Sequence, residues 1–445
     1  MEYYWSILLF IVISIHYLFR NFNFFKRHGI IHIPPVPVFG AMISSMFFQT
    51  SFVDCLLKIY NFNPNAKYYG FYFMTTPVFL LRDPELIKNI LVKNFESFPN
   101  RLDFSGSNDS LLKNNLFSLC GEKWRNVRNL LTPSFTSNKI KMMFTLISES
   151  AQDFAKFITT LPADKGCINM KDAFSKYTND VIATCAFGIK INSMKDPTNE
   201  FYINEHITRP DMLQLMMDIR GKEGRRELDI DDMTAQAFIF FLGGFETSST
   251  AISFVAHEIA ANPDVQTKLQ QEVDNILKES NGEVSYEAIN RLEYLNAVIS
   301  EALRLYPPFP ILERICEKAY ELPSALPDEK PVILKKGMTV WVPAFAIQRD
   351  EKYYDNPEKF DPERFVNNKM HDSSCYIPFG LGPRMCIANR FAMLAVKVLL
   401  FHLLALCELK PSAKTTSPVK FRKDLMIMPE NGFWLNIQRR KDVLC

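Results

Sequence analysis

Phe379-Gly380-Leu381-Gly382-Pro383-Arg384-Met385-Cys386-Ile387-Ala388 is a glycine-rich loop that ends in a cysteine and runs into an apolar segment. A helix beginning at Ile387 would offer free N–H groups and the positive end of its dipole, both of which favour a thiolate. Gly380 and Gly382 would let the backbone pass a flat ligand with no Cβ in the way, and Arg384 supplies a permanent charge for a carboxylate. A lone buried cysteine ahead of a helix is ordinarily a small hydrophobe. The loop therefore acquires meaning only from the rest of the chain.

Upstream, Met233, Ala237, Phe240 and Phe241, then Ile252, Val255, Ala256 and Ile259, recur at helical spacing and predict one helix over 231–261, about 45 Å long. Gly243-Gly244-Phe245-Glu246-Thr247-Ser248 sits in its middle. Two glycines there cost about 1 kcal/mol each relative to alanine, so helix stability does not account for them. Thr247 is placed to bond the carbonyl of Gly243, four residues back, and to open a groove for water or oxygen; close packing of a neighbouring helix is the ordinary alternative. Further helices are expected over 260–277, 293–306 and 386–406, with Pro307-Pro308 stopping the second of these. Strands are expected over 68–81 and 332–342. The class is mainly α with a minor β-sheet, in one large domain without internal repeats.

These segments together resemble the cytochrome P450 family. Its haem signature, F-x-x-G-x-R-x-C, is matched in full through Cys386, with Ala388 where glycine is usual. Gly243 to Ser248 match [AG]-G-x-[DE]-T-[ST], Glu301 and Arg304 the E-x-x-R pair, and Phe360-Asp361-Pro362-Glu363-Arg364-Phe365 the segment whose arginine joins that pair. Trp124-Arg125-Asn126-Val127-Arg128 resembles W-x-x-x-R. The resemblance implies a haem-thiolate monooxygenase in which Cys386 ligates the iron and Phe379 belongs to the haem loop. Trp124, Arg128 and Arg384 would contact the haem propionates, with Arg101 and Arg314 as further candidates. Glu246 and Thr247 would relay protons, Glu301, Arg304 and Arg364 would be structural, and the thiolate would push electron density towards O–O cleavage. It also implies O2, electrons from NADPH through NADPH-cytochrome P450 reductase, cytochrome b5 as a second donor, and an apolar small-molecule substrate. Lys123, Arg125 and Lys397 are candidates for docking the reductase, and Phe104, Leu112, Phe117, Phe241, Phe245, Phe309, Ile311 and Met426 for walls of the substrate pocket. Alternatives are a haem-thiolate isomerase or dehydratase, disfavoured by the presence of both Glu246 and Thr247, and a haem-binding protein with little turnover.

Composition agrees with a folded enzyme. Hydrophobic residues make up 47% of 445, with 38 Phe, too apolar for a disordered chain. A net charge of +2 argues against a nucleic-acid partner. Nine scattered cysteines without a CxxC pair read as reduced thiols. Residues 3–19 form an apolar run broken only by Ser6, Ser14 and His16, at the lower length limit of a membrane span. Arg20, Lys26, Arg27 and His28 follow it, which places the remainder in the cytosol, and the resemblance to insect microsomal members implies the endoplasmic reticulum membrane. The expected organisation is an anchor over 1–20, a basic and proline-rich hinge over 21–40, and a haem-binding catalytic domain over 41–445. Near 202–209 the chain is too short for the two helices, called F and G, that roof the substrate pocket in this family. An internal deletion is expected there.

Overall fold

The structure is a computed structural model and describes residues 4–5, 22–101, 109–161, 167–195, 216, 229–368, 374–424 and 427–440. Nearly all of the expected anchor, the segment 202–209, Phe104 and Met426 lie outside them. Helices of nine residues or more among the described residues are α1 (Phe52–Tyr60), α2 (Gly121–Leu131), α3 (Ser137–Thr160), α4 (Met170–Phe187), α5 (Ile230–Ala261), α6 (Pro263–Glu279), α7 (Glu293–Leu305) and α8 (Asn389–Leu406). The strands are β1 (Tyr68–Phe73), β2 (Thr76–Leu81), β3 (Cys167–Asn169), β4 (Leu312–Ile315), β5 (Tyr320–Leu322), β6 (Val332–Leu334), β7 (Thr339–Val342), β8 (Cys407–Pro411) and β9 (Trp434–Arg439). The mainly α class with minor sheet holds.

The long helix is where periodicity places it, and its ends follow from local chemistry. Asp229 caps α5 by accepting from the Asp232 N–H, and Asp231 and Asp232 complement the dipole of the first turn. Asn262 ends it, and Pro263 opens α6 at a position where its missing N–H is not needed. The expected strand over 68–81 is a hairpin turning at Met74, with β1 and β2 antiparallel. The expected strand over 332–342 is in fact two. Gly337, at φ 87, breaks it, so that β6 pairs β5 while β7 joins a sheet ordered β1-β2-β7-β4. A third sheet, ordered β3-β9-β8, packs beside the core.

α5 lies against α4, and α8 against α3. Both α5 and α8 are long and apolar enough to cross a membrane. Val398, Leu399, Leu400, Phe401, Leu403 and Leu404 on α8 are wholly buried. Their hydrophobicity is spent inside the domain. The stretch expected to be a hinge is docked as well: Phe25 is fully buried, Ile33 N–H donates to Gly70 at 2.9 Å, and Ala41 N–H donates to Tyr72 at 2.8 Å. Residues from Phe22 onward are thus fastened to β1 rather than spacing the domain from an anchor.

Glu301 and Arg304 on α7 are both 0% exposed and form two hydrogen bonds, Nε to Oε2 at 2.7 Å and Nη2 to Oε1 at 2.9 Å. Arg364 reaches the same Oε1 at 3.4 Å, and the Asp361 N–H donates to it at 2.9 Å. Arg304 also donates to the Gln348 carbonyl at 2.6 Å. Glu301 and Arg304, paired by their spacing, and Arg364, implied by the resemblance, meet as one network that ties α7 to the segment before the cysteine loop.

Candidate active site

Behind the cysteine loop lies a cavity of about 670 Å³, within the range of small-molecule sites. Cys386 lines it with its side chain exposed to the open space, and the Cys386 N–H donates to the Phe379 carbonyl at 2.9 Å, closing the loop. α8 begins at Asn389, so Cys386, Ile387 and Ala388 precede the helix instead of opening it. Burial holds the Cys386 thiol above its ordinary pKa, opposed by a backbone hydrogen bond from Ala388 and by the charges of Arg128 and Arg101. The helix terminus expected to act on the thiol begins three positions away, at Asn389. A coordinating metal cation is what deprotonates such a thiol. Gly380 and Gly382 sit at φ 79 and 74, where other residues are strained. A Cβ on Gly382 would lie 2.0 Å from the Leu91 carbonyl oxygen, so this glycine serves packing of backbone on backbone rather than passage of a ligand.

Four arginines, Arg101, Arg128, Arg314 and Arg384, face the same cavity, and Glu313 is the one carboxylate among its described walls. Arg384 donates to the carbonyls of Pro99 and Leu119 at 2.8 and 2.7 Å, and its guanidinium lies 4.1 Å from the Trp124 ring centroid. Arg101 donates to the Arg384 carbonyl at 3.0 Å. Burial lowers the pKa of Arg384 to about 9 and of Arg101 to about 10, and pushes Arg314 well below its ordinary value; their mutual repulsion adds to this. Arg384 Nη1 and Arg314 Nε are buried without a hydrogen-bond partner. Such a surplus of buried cations is costly unless an anion completes it. A planar group with two carboxylates, such as haem, would fit this donor set, with Trp124, Arg128, Arg314 and Arg384 available to hold its carboxylates and Cys386 to hold its iron.

α5 forms the opposite wall through Ile239, Phe240, Gly243, Gly244, Thr247 and Ser248. The two glycines have separate reasons. A Cβ on Gly244 would lie 2.4 Å from Ile182 Cδ1, so α4 packs there, whereas Gly243 has nothing within 4 Å and faces open space. Thr247 Oγ1 donates to the Gly243 carbonyl, as the spacing predicts. Its proton is thus committed to the helix, and its lone pairs face the cavity. Glu246 is not in the wall. Its carboxylate pairs with Lys171 of α4 at 2.9 Å, and Lys171 also donates to Ser249 and Thr250 at 2.6 and 3.0 Å.

Of the expected pocket walls, Phe117, Phe309 and Ile311 line the cavity, but Leu112 is exposed, and Phe241 and Phe245 stack on each other at 5.8 Å on a neighbouring face of α5. The face was misjudged by one residue, since Phe240 and not Phe241 points inward. Lys397 is buried on α8 and cannot dock a partner; Arg125 is engaged by Glu96 and Glu122. Glu313 and Lys171 were missed. The only sequence signal for Glu313 was its place beside Arg314 in a strand, and Lys171 left none.

The chain matches the family model described as Cytochrome P450 over residues 32–208 and 202–436. Cytochrome P450 9e2 of Blattella germanica is 37% identical over 527 aligned residues, covering 98% of each chain. Cytochrome P450 6j1 of the same species is 34% identical, covering 95% of each, and cytochrome P450 6a2 of Drosophila melanogaster is 32% identical, covering 97% of this chain and 99% of that one. The first alignment is longer than the 445 residues of this chain, and the two family-model segments meet at 202–208.

Proposed function

Because this chain belongs to the cytochrome P450 family, whose members carry haem on a cysteine thiolate, we propose that Cys386 is the iron ligand of a monooxygenase inserting one oxygen atom of O2 into an apolar small molecule. The observation that carries this reading is the cavity itself: apolar walls from α5, a cysteine presented by the glycine-rich loop, and four arginines, of which Arg314 and Arg384 carry unmet donors. Bound haem supplies the oxidising chemistry, while the protein binds, orients and excludes water. Trp124, Arg101, Arg128, Arg314 and Arg384 would hold its propionates, and the Phe379 carbonyl closes the loop by accepting from the Cys386 N–H. Electrons come from NADPH through its cytochrome P450 reductase, with cytochrome b5 as a second donor. The N-terminal apolar run holds the enzyme on the endoplasmic reticulum membrane with the catalytic domain in the cytosol. Product formation with reductase and NADPH, but not from peroxide alone, separates this function from that of an isomerase or dehydratase.

Thr247 is the residue we assign to proton handling, because its lone pairs face the cavity beside the open space at Gly243. Glu246 is the acid next to it, held by Lys171 of α4. Thr247→Ala is expected to leave oxygen consumption within about twofold while oxidised product falls roughly tenfold and peroxide rises. Oxygen, product and peroxide measured together check this; unchanged coupling overturns the role.

A low-turnover form of this enzyme is favoured by the split family match at 202–208, which fits a missing roof. α5 supports it too: residues 237–247 are partly exposed, including Leu242 at 44%, while 248–260 are buried. Inserting an F–G segment from a relative between Tyr202 and Arg209 is expected to raise the melting temperature by several degrees and to raise coupling, by excluding water from the pocket. A form already as stable and as tightly coupled without the insert is a complete, naturally short enzyme.

A further inference from the structure

We propose that Glu313 and Trp341 form a hydroxyl-recognition subsite in one arm of the cavity, so that the preferred substrate is an apolar skeleton carrying an alcohol. The proposal rests on the monooxygenase reading above. Glu313 on β4 and Trp341 on β7 are directly opposed in antiparallel register. Their side chains therefore leave the sheet on the same face as close neighbours, whereas Leu312 and Arg314 leave on the other. Both line the cavity, together with Phe52 and with Phe73, whose ring lies 5.0 Å from that of Trp341.

Trp341 is 6% exposed, and its Nε1 is buried with no hydrogen-bond partner; Glu313 Oε1 is buried and equally without one. Buried indole N–H groups ordinarily have an acceptor, and buried carboxylate oxygens a donor. Here an orphaned donor and an orphaned acceptor belong to directly opposed residues in the wall of the cavity. A hydroxyl completes both, its O–H donating to Glu313 and its oxygen accepting from Trp341. A ketone would leave Glu313 unmet. A protonated amine would leave Trp341 unmet and would stand near Arg101 and Arg314, whose charges act on Glu313. Burial raises the Glu313 pKa to about 7 against the pull of those two arginines, so near neutral pH the ionised acceptor is readily available.

The test titrates 1-decanol, its methyl ether and decane into the full-chain holoenzyme and its variants, reading binding by calorimetry. The ether can accept from Trp341 but cannot donate to Glu313, and decane can do neither. Glu313→Leu is expected to weaken decanol about tenfold and leave the ether within about twofold. Trp341→Phe is expected to weaken decanol and ether alike by about tenfold and to spare decane. Glu313→Gln, which keeps an acceptor oxygen, should retain most of the decanol affinity; retained decane binding shows that each variant keeps its pocket. Equal losses for all three probes, or none, would overturn the subsite while leaving the apolar pocket standing. Failure of the unsubstituted holoenzyme to bind any of the three overturns the subsite and the apolar-substrate reading together.

Discussion

Cys386→Ser is expected to abolish the red-shifted Soret band of the reduced carbonyl complex that thiolate ligation produces. Serine is close in size, and Cys386 opens onto the cavity instead of filling a packed core, so the loop closed by the bond from the Cys386 N–H to the Phe379 carbonyl should survive. What is lost is the soft anionic donor. A thiol is readily deprotonated by a coordinating metal cation, and a serine hydroxyl in the same place far less so. Haem content should fall, and any haem retained by the arginines and Trp124 should lack the thiolate spectrum. The absorption spectrum of the reduced, carbonyl-treated protein checks this. Persistence of the band would mean that another residue is the ligand.

Arg304→Ala is expected to cost about 3–5 kcal/mol of stability, a large part of the roughly 5–15 kcal/mol that holds a typical protein folded. The change leaves the Glu301 carboxylate, 0% exposed, with Arg364 at 3.4 Å and the Asp361 N–H as its remaining partners, and it strips the Gln348 carbonyl of its donor. Arg304→Lys should recover only part of this, because a single ammonium cannot reproduce the two-pronged contact with both Glu301 oxygens. Denaturant unfolding and haem content, followed together, report the loss. Arg304 lies outside the cavity walls, so stability should fall without a change in the spectrum of whatever haem-loaded protein remains. A cost below about 1 kcal/mol would place the pair with ordinary surface ion pairs.

Contacts between neighbouring residues were legible in the sequence alone. The loop to Cys386, the Thr247 to Gly243 bond and the Glu301 to Arg304 pair all join residues within a few positions of one another, so spacing alone brings them together. The span of α5 was equally plain, because thirty residues of apolar periodicity leave little choice. The mainly α class followed from such helices. The phase of α5 was not legible, since its apolar residues run nearly all round it and a step of about 100° per residue separates Phe240 in the cavity wall from Phe241 outside it.

Contacts between distant segments belonged to the tertiary structure alone. Lys171 reaches Glu246 across 75 positions, and that pairing engages an acid expected at the oxygen site with α4 instead of the cavity wall. Lys397 looked like a surface charge and is buried, because α8 is covered on nearly every side. Glu313 and Trp341 became a pair only when β7 lay against β4 in one particular register. Local patterns constrain what each segment can become, but burial, facing and register are set by whichever partner packs against it, and that partner is chosen by the cooperative burial of the whole core.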